Sequence, residues 1–308
     1  MPGPRRDVED MDHIPVLPEA VLDLLAPAPG QVFLDCTVGR GGHAVRIAPR
    51  LAPGGRYVAL DMDPSNVQFV RQRLADGPVR VDLIRANFAD SRAALDSLGV
   101  DAVDGLLADL GFASTQVDDP HRGLSFARQG PLDMRLDPDL PVSAADLVNG
   151  LHERELADLI FRYGEERLSR RIARKIVEAR SQQPIKTTGR LAELCAAAYG
   201  AARHKQRIDP ATRTFQALRI AVNHELENLE ALLGALPVLV RPGARVAIIS
   251  FHSLEDRLVK RSFASYVSQG LAERLTRKPV TAGEAEAATN RRSRSAKLRA
   301  IRWGYHGR

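Results

Sequence analysis

The chain is 308 residues long, 44% apolar and only 5% aromatic, with a net charge of +6 and two cysteines. That length can bury a full core for one large domain or two, and the ordinary composition excludes a fibre or a wholly disordered chain. The positive balance points to an anionic partner, nucleic acid first, while the scarcity of aromatics argues against a broad stacking platform for single strands.

Residues 1–12 are polar, include Pro2, Gly3 and Pro4, and are expected to be disordered. They carry basic residues but no apolar run, so they do not read as a signal peptide. No apolar run in the chain approaches the roughly 18 residues of a membrane span. Cys36 and Cys195 are too few and too far apart for a disulfide framework or a metal quartet, and fit a reducing cytoplasm.

A first helix is expected from about Glu19, with Val21, Leu22, Leu24 and Leu25 on its apolar face and Pro27 to Gly30 as its stop. Strand one is Val32 to Asp35. A glycine-rich turn, Gly39-Arg40-Gly41-Gly42, follows and feeds a helix carrying Val45, Ile47 and Leu51. Strand two runs from Arg56 to Leu60 and stops at Asp61. Strand three is Val81 to Ile84, ending at Asn87-Phe88, and strand four is Val103 to Asp109, with helices around Val67 to Leu74 and Leu95 between them. Strands alternating with helices at this spacing predict a parallel, doubly wound α/β sheet.

The rhythm then breaks. Residues 111–139 read as loop and residues 144–200 as helical throughout. Gly164 is placed at a helix C-cap, and Thr187 or Thr188 at the N-cap of a helix from Leu191 to Tyr199. Asp209-Pro210 is expected to start one long helix, with Asp209 as N-cap and Phe215, Leu218, Val222, Leu226, Leu229 and Leu233 on its buried face. After the turn Arg241-Pro242-Gly243 the sheet resumes with Arg245 to Phe251, a helix from about Asp256 to Val267, and a last strand from Ala296 to Trp303. Residues 282–289 are either a short surface helix or flexible. Residues 13–115 and 209–308 are therefore expected to form one discontinuous domain, with 116–208 as an inserted loop and helical domain for substrate recognition.

A strand, a glycine turn and a helix start can cradle a nucleotide-like ligand, and Gly39-x-Gly41-x-x-Ala44 fits a loose dinucleotide fingerprint. Other strand ends separate the candidates. Asp35 precedes the glycines, where dinucleotide folds are usually apolar and where methyltransferase folds place an acid toward the ammonium end of S-adenosylmethionine. Asp61 can accept both ribose hydroxyls, the ring of Phe88 can lie against adenine, and Asp109 faces the crevice where the reacting groups meet. Open α/β sheets bind ligands at the carboxyl ends of their strands, so these four positions converge on one cleft. His43 either contacts ligand or only opens the helix.

Longer motifs carry a resemblance. They are His13-Ile14-Pro15-Val16-Leu17, Gly39-Arg40-Gly41-Gly42-His43, Ala108-Asp109-Leu110-Gly111, Gly130-Pro131-Leu132-Asp133-Met134-Arg135, Thr212-Arg213-Thr214-Phe215-Gln216-Ala217-Leu218-Arg219, Ser250-Phe251-His252-Ser253-Leu254-Glu255-Asp256-Arg257 and Ser293-Arg294-Ser295-Ala296-Lys297-Leu298-Arg299. Together, from about residue 13 to 300, they resemble the ribosomal RNA small subunit methyltransferase H family, which transfers a methyl group from S-adenosylmethionine to the exocyclic N4 of a decoding-centre cytosine in bacterial 16S rRNA. The resemblance implies a Rossmann-like class I S-adenosylmethionine-dependent methyltransferase sheet with an inserted all-helical domain. It also implies that Gly41, Gly42, His43, Asp61, Phe88, Asp109 and Gln116 contact the methyl donor. The run Phe112-Ala113-Ser114-Thr115 departs from the Val-Ser-Ser-Pro more usual in the family.

The residues also speak to the chemistry. Methylation at cytosine C5 needs a thiolate to attack C6, and neither cysteine follows strand four. An exocyclic amine needs no covalent step, only alignment and a carboxylate near the charge that builds on nitrogen. Asp109 is the candidate. His252 and Ser253 either orient the base and move its proton, or cap the next helix, with Ser253 as N-cap. No His, Asp or Glu group has metal-ligand spacing, so no catalytic metal is expected. Two basic clusters are candidates for RNA contact: Arg170, Arg171 and Arg174 in the helical segment, and Arg294, Lys297 and Arg299 in a C-terminal run with no acid in it. The target cytosine must be unstacked to reach the cleft. The expected partner is 16S rRNA within the small ribosomal subunit, with a homodimer as a second candidate and no membrane. The competing readings are a basic RNA-binding assembly factor with a retained donor site and no turnover, and a nicotinamide-dependent oxidoreductase.

Overall fold

A computed structural model describes residues 14–111, 119–201 and 208–304. The expectation of disorder for residues 1–12 lies outside these. The chain divides into two compact units, Met1–Ala113 with Glu227–Arg308, and Ser114–Leu226.

The first unit is built on a seven-stranded sheet in the order β3-β2-β1-β4-β5-β7-β6. Its strands are β1 (Val32–Asp35), β2 (Arg56–Asp61), β3 (Arg80–Arg85), β4 (Val103–Asp109), β5 (Val240–Ser250), β6 (Ala272–Arg274) and β7 (Lys297–Trp303). The pairs among β1 to β5 are parallel, and β7 runs antiparallel to both β5 and β6. The mixed α/β class expected from the alternation is what forms. β6 was not foreseen, because three residues are too short to show a period.

Helices α1 (Pro18–Leu25), α2 (Ala44–Ile47, continued by the 3-10 turn Ala48–Leu51), α3 (Pro64–Arg73) and α4 (Ser91–Ser97) belong to this unit. They cover the sheet on both sides, which is why its strands are almost continuously apolar. Phe33, Tyr57, Ala59 and Leu107 point to one face, where they pack with Val21 and Ile47. Leu34, Val58, Leu60, Leu106 and Ala108 alternate to the other, with Leu95 and Leu232. The rings of Phe33 and Tyr57 stack 5.7 Å apart. Gly105 makes room for Phe33, since a Cβ there would stand 2.5 Å from that ring. β1 and β4 are neighbours, and the strand order reverses between them. That reversal is the topological switch point where open α/β sheets bind ligands.

The second unit contains α5 (Ala144–Gly150), α6 (Glu153–Gly164), α7 (Ser169–Arg180), α8 (Thr188–Tyr199) and α9 (Thr212–Asn223), packed around Leu156, Ile160, Ile172, Ile176, Leu191 and Leu218. Thr187 is the N-cap of α8, its side chain accepting from the Arg190 amide. Gly164 is not a C-cap. It is the last residue of α6, and Glu165 takes the left-handed position at φ 50°. The glycine is needed for close approach instead, because a Cβ would lie 2.5 Å from the Arg213 carbonyl oxygen.

The single long helix expected after Asp209 is two. α9 stops at His224, which is left-handed at φ 52°, and α10 (Glu225–Leu239) follows. Asp209 accepts from the Ala211 amide in the preceding turn, so the N-cap position falls to Ala211. Because α9 packs through Phe215, Leu218 and Val222 into the helical core, the chain returns to the first unit at Glu227, later than the expected residue 209. Arg241-Pro242-Gly243 lies within β5, where the register against β4 shifts between Val103 and Gly105. An irregular pairing tolerates a proline without an N–H. Residues 253–268 form α11 (Ser253–Ser268), and α12 (Glu284–Thr289) settles the alternatives left for residues 282–289 as a helix. No described helix is long and apolar enough to cross a membrane.

Candidate functional site

The glycine turn is held from several sides. Gly39 and Gly41 take positive φ values of 52° and 78°, open to glycine at little strain. The Gly39 amide donates to Asp61 Oδ2 at 2.8 Å, and the Val38 amide donates to the Leu60 carbonyl at 2.9 Å. The Arg40 guanidinium lies 3.3 Å from the centroid of the Phe69 ring, and Arg73 donates to the Arg40 carbonyl. A Cβ on Gly42 would press on Pro15 at 3.1 Å. The turn therefore presents bare backbone in a preset shape.

Register separates the acids. Asp35 pairs with Ala59 and Leu107, so Asp61 and Asp109 each stand two residues further along their strands. Two residues keep the same face and rise about 7 Å. The three acids thus share the Phe33–Tyr57 face but not one level. Asp35 is deepest, 1% exposed, with Oδ2 accepting from the Tyr57 hydroxyl at 2.5 Å and Oδ1 from the Thr37 amide at 3.1 Å. Burial pushes its carboxyl above the usual carboxylate range, against those hydrogen bonds. Sequence placed Asp35 toward a ligand's ammonium group, directly or through water, and the fold sets it below the level of the other two acids. Its oxygens are held by the protein, because a four-residue β1 ends below the rim.

Asp61 stands at the rim. It accepts from the amides of Gly39 and Asp63, both at 2.8 Å, and from Asn66 Nδ2 at 3.2 Å. Burial lifts its pKa to about 6 despite these donors. A carboxylate has about four acceptor positions, so roughly one remains for a ligand hydroxyl. Phe88 opens a short 3-10 turn, Phe88–Asp90, capped by Asn87 accepting from the Ala89 amide. It is half-buried against the second face of the sheet.

Asp109 ends β4. Its amide donates to the Thr37 hydroxyl at 2.7 Å, and its Oδ1 accepts from the Gly111 amide at 3.3 Å. His43, the N-cap of α2, is 7% exposed and points Nε2 at Asp109 Oδ2 across 3.7 Å, ion-pair distance but too long for a hydrogen bond. Nε2 has no hydrogen-bond partner among the described residues. Burial works to raise the Asp109 carboxyl, but His43, the Arg292 guanidinium and the Gly111 amide outweigh it and hold the group below the ordinary range. Thr37 was not read from the sequence as a site residue, and Arg292 only as part of the C-terminal basic run. Arg292 comes from the far end of the chain. A Cβ on Gly111 would meet it at 3.2 Å and the Phe251 ring at 2.8 Å.

His252 takes the cap position that one of the two sequence readings gave to Ser253. It is the N-cap of α11, with Nδ1 accepting from the Glu255 amide at 3.4 Å, while Glu255 Oε2 accepts from the amides of Phe251 and His252. Nε2 lies 3.2 Å from Glu255 Oε1. Ser253, expected as the N-cap, is the first helical residue and is exposed.

The two basic clusters fare unequally. Arg170, Arg171 and Arg174 are exposed on α7, with Arg174 3.9 Å from Glu153. In the C-terminal run, Arg294 is exposed and donates to the Ala287 carbonyl. Lys297 and Arg299, expected to lack acidic partners, find one in Asp256 of α11, at 3.4 and 2.7 Å. Sequence proximity could not reveal that pairing. Gln116 and the 112–115 departure lie outside the described residues. Both cysteines are buried with raised pKa values, that of Cys195 pushed up to about 12, so neither is poised as a thiolate nucleophile.

The chain matches the MraW methylase family over residues 10–303. It is 49% identical over 305 residues to ribosomal RNA small subunit methyltransferase H of Pelobacter propionicus, covering 94% of this chain and 97% of that one. The protein of the same name from Geobacter sp. (strain M21) is 48% identical over 309 residues, with 96% and 99% covered. That of Sorangium cellulosum is 48% identical over 302 residues, with 98% and 94% covered.

Proposed function

The chain belongs to the MraW methylase family, and we propose that it methylates the exocyclic N4 of a decoding-centre cytosine in 16S rRNA of the small ribosomal subunit, with S-adenosylmethionine as donor. The observation that carries this reading is the ionised Asp109 beside His43 at the switch point of the sheet. Donor binding fits the residues present: bare glycine backbone at Gly39 and Gly41, a free acceptor position on Asp61, and the unpartnered Nε2 of His43. Phe88 is proposed against the adenine, and Gln116 as a further contact.

The bound donor supplies an electrophilic methyl group on a sulfonium. The amine of cytosine is a weak nucleophile because its lone pair is delocalised into the ring. Alignment and electrostatics must therefore do the work, and a carboxylate fixed beside the nitrogen stabilises the positive charge that grows there. Asp109 is kept in the charged form by His43 and Arg292 before any substrate arrives, so no reorganisation is needed at the moment of reaction. His252, engaged in its capping box, is proposed to hold the β5 edge in place, with Ser253 beside it able to contact the base. Arg170, Arg171, Arg174 and Arg294 are proposed phosphate contacts. Lys297 and Arg299 act there only with Asp256 as a shared partner.

The test is mass spectrometry of rRNA nucleosides after incubating undermethylated small subunits with the protein and isotope-labelled donor. Label on N4-methylcytidine is expected. Label at another position, or none with intact donor binding, rejects the reading.

A further inference from the structure

In the same unit a concave pocket lies between α11 and the paired strands β6 and β7. Its cationic lining is Lys260 from the helix, Arg274 from β6, Arg277 just beyond it, and Arg299 from β7. Thr276 adds a hydroxyl, and no carboxylate lines it. Asp256, which reaches Arg299, is engaged by Arg299 and Lys297. Glu273 neighbours Arg274 but alternates to the opposite face of its strand, in register with Arg302. Lys260, Arg274 and Arg277 are exposed, and no carboxylate partners them among the described residues.

Three exposed cations around one concavity repel each other, and that repulsion is relieved by an anion. We infer that this pocket is a phosphodiester-binding subsite, through which Lys260, Arg274 and Arg277 grip the RNA backbone a few nucleotides from the target base. The inference rests on the rRNA reading above and extends it to residues that neither the motifs nor the basic runs singled out. Position suits the role. β6 stands three strands from β4, about 14 Å at ordinary strand spacing, so the pocket is out of reach of the reacting base but within reach of the same RNA strand. Contacts of this kind set register and orientation while carrying no sequence information. Arg299, pinned by Asp256, forms a fixed positive wall, and the three unpinned side chains close on the phosphate.

The test uses the full-length protein with Lys260→Ala, Arg274→Ala and Arg277→Ala combined, and the charge-keeping set Lys260→Arg, Arg274→Lys and Arg277→Lys. Affinity for undermethylated small subunits is measured against salt concentration, alongside S-adenosylhomocysteine affinity as a check on the fold. The alanine set is expected to bind subunits at least tenfold more weakly and to lower the slope of log affinity against log salt by about 1, from roughly 0.7–0.9 for the one phosphate contact. Donor-site affinity should stay within twofold, and the charge-keeping set should bind like the parent. An unchanged slope and affinity in the alanine set, with the parent still methylating subunits, overturns the subsite alone. A parent that neither binds nor methylates subunits overturns the rRNA reading and the subsite with it.

Discussion

The backbone amide of Asp109 donates to the hydroxyl of Thr37 at 2.7 Å, so the carboxyl end of β4 is fastened to the residue that leads into the glycine turn. Thr37 also sends its own amide to Asp35. Thr37→Val keeps the shape and removes the acceptor, leaving a largely buried amide unsatisfied. A loss of about 1–3 kcal/mol in urea unfolding is expected, with reduced turnover, whereas Thr37→Ser should retain both. Equal stability and turnover for the valine variant would show that the link does nothing.

Asp109→Asn keeps the volume but removes the charge proposed to face the cytosine amine. Turnover should fall by about 100-fold or more, roughly 3 kcal/mol of transition-state stabilisation, with S-adenosylhomocysteine affinity within a few-fold of the parent. The pKa of Asp109 is depressed, so the carboxylate stays ionised throughout the neutral range. Loss of activity through this group sets in only as pH falls below the ordinary carboxylate range. Single-turnover methylation of subunits across pH measures it, and near-normal turnover by the asparagine variant defeats the role.

Asp61 behaves in the opposite sense. Burial raises its pKa to about 6, so its acceptor capacity is complete above that pH and is lost as pH falls through it. A ligand whose hydroxyl must donate to Asp61 should bind tenfold more weakly for each pH unit below about 6. Calorimetric titration with S-adenosylhomocysteine from acid to neutral pH reads this directly. A flat profile would show that Asp61 accepts nothing from the ligand.

Gly105 exists for Phe33. Gly105→Ala drives a methyl group into the ring at 2.5 Å and should destabilise the first unit by about 1–3 kcal/mol. Combining it with Phe33→Leu should return part of that loss, since the two sites are coupled by contact. Strict additivity in thermal or urea unfolding would contradict the packing argument.

Asp256 ties α11 to β7 through Arg299 and Lys297. Burial works to raise its carboxyl, but Arg299 and then Lys297 prevail and hold it below the ordinary carboxylate range. For a depressed acid the stabilisation is complete above the unfolded pKa and is lost as pH falls through the folded one. Asp256→Asn should therefore be less stable than the parent at neutral pH. That difference should shrink below about pH 4. A difference that persists unchanged into acid would assign the effect to packing.

Much of the fold was legible locally. β1 and β4 have the expected bounds because parallel strands covered on both sides read as unbroken apolar runs, and the glycine turn reads through its φ requirements. The break at His224 was hidden because apolar spacing continues through it from Phe215 to Leu233, so period alone predicts a single helix. The cap at His252 was not legible because histidine is an uncommon cap and its neighbour Ser253 a common one.

The sequence by itself determined the α/β alternation, the glycine turn and the acids at the strand ends, since each depends on chemistry within a few residues. Only the tertiary structure decided what those acids do. Strand register sank Asp35 beneath the rim and gave it to Tyr57, and it left Asp61 and Asp109 two residues higher. The folding back of the C-terminal segment brought Arg292 to Asp109 and Asp256 to Arg299, contacts between residues too distant in the chain for any local pattern to record. Charge state follows from those contacts, because burial and neighbouring charge, not residue type, set whether a carboxylate stays ionised.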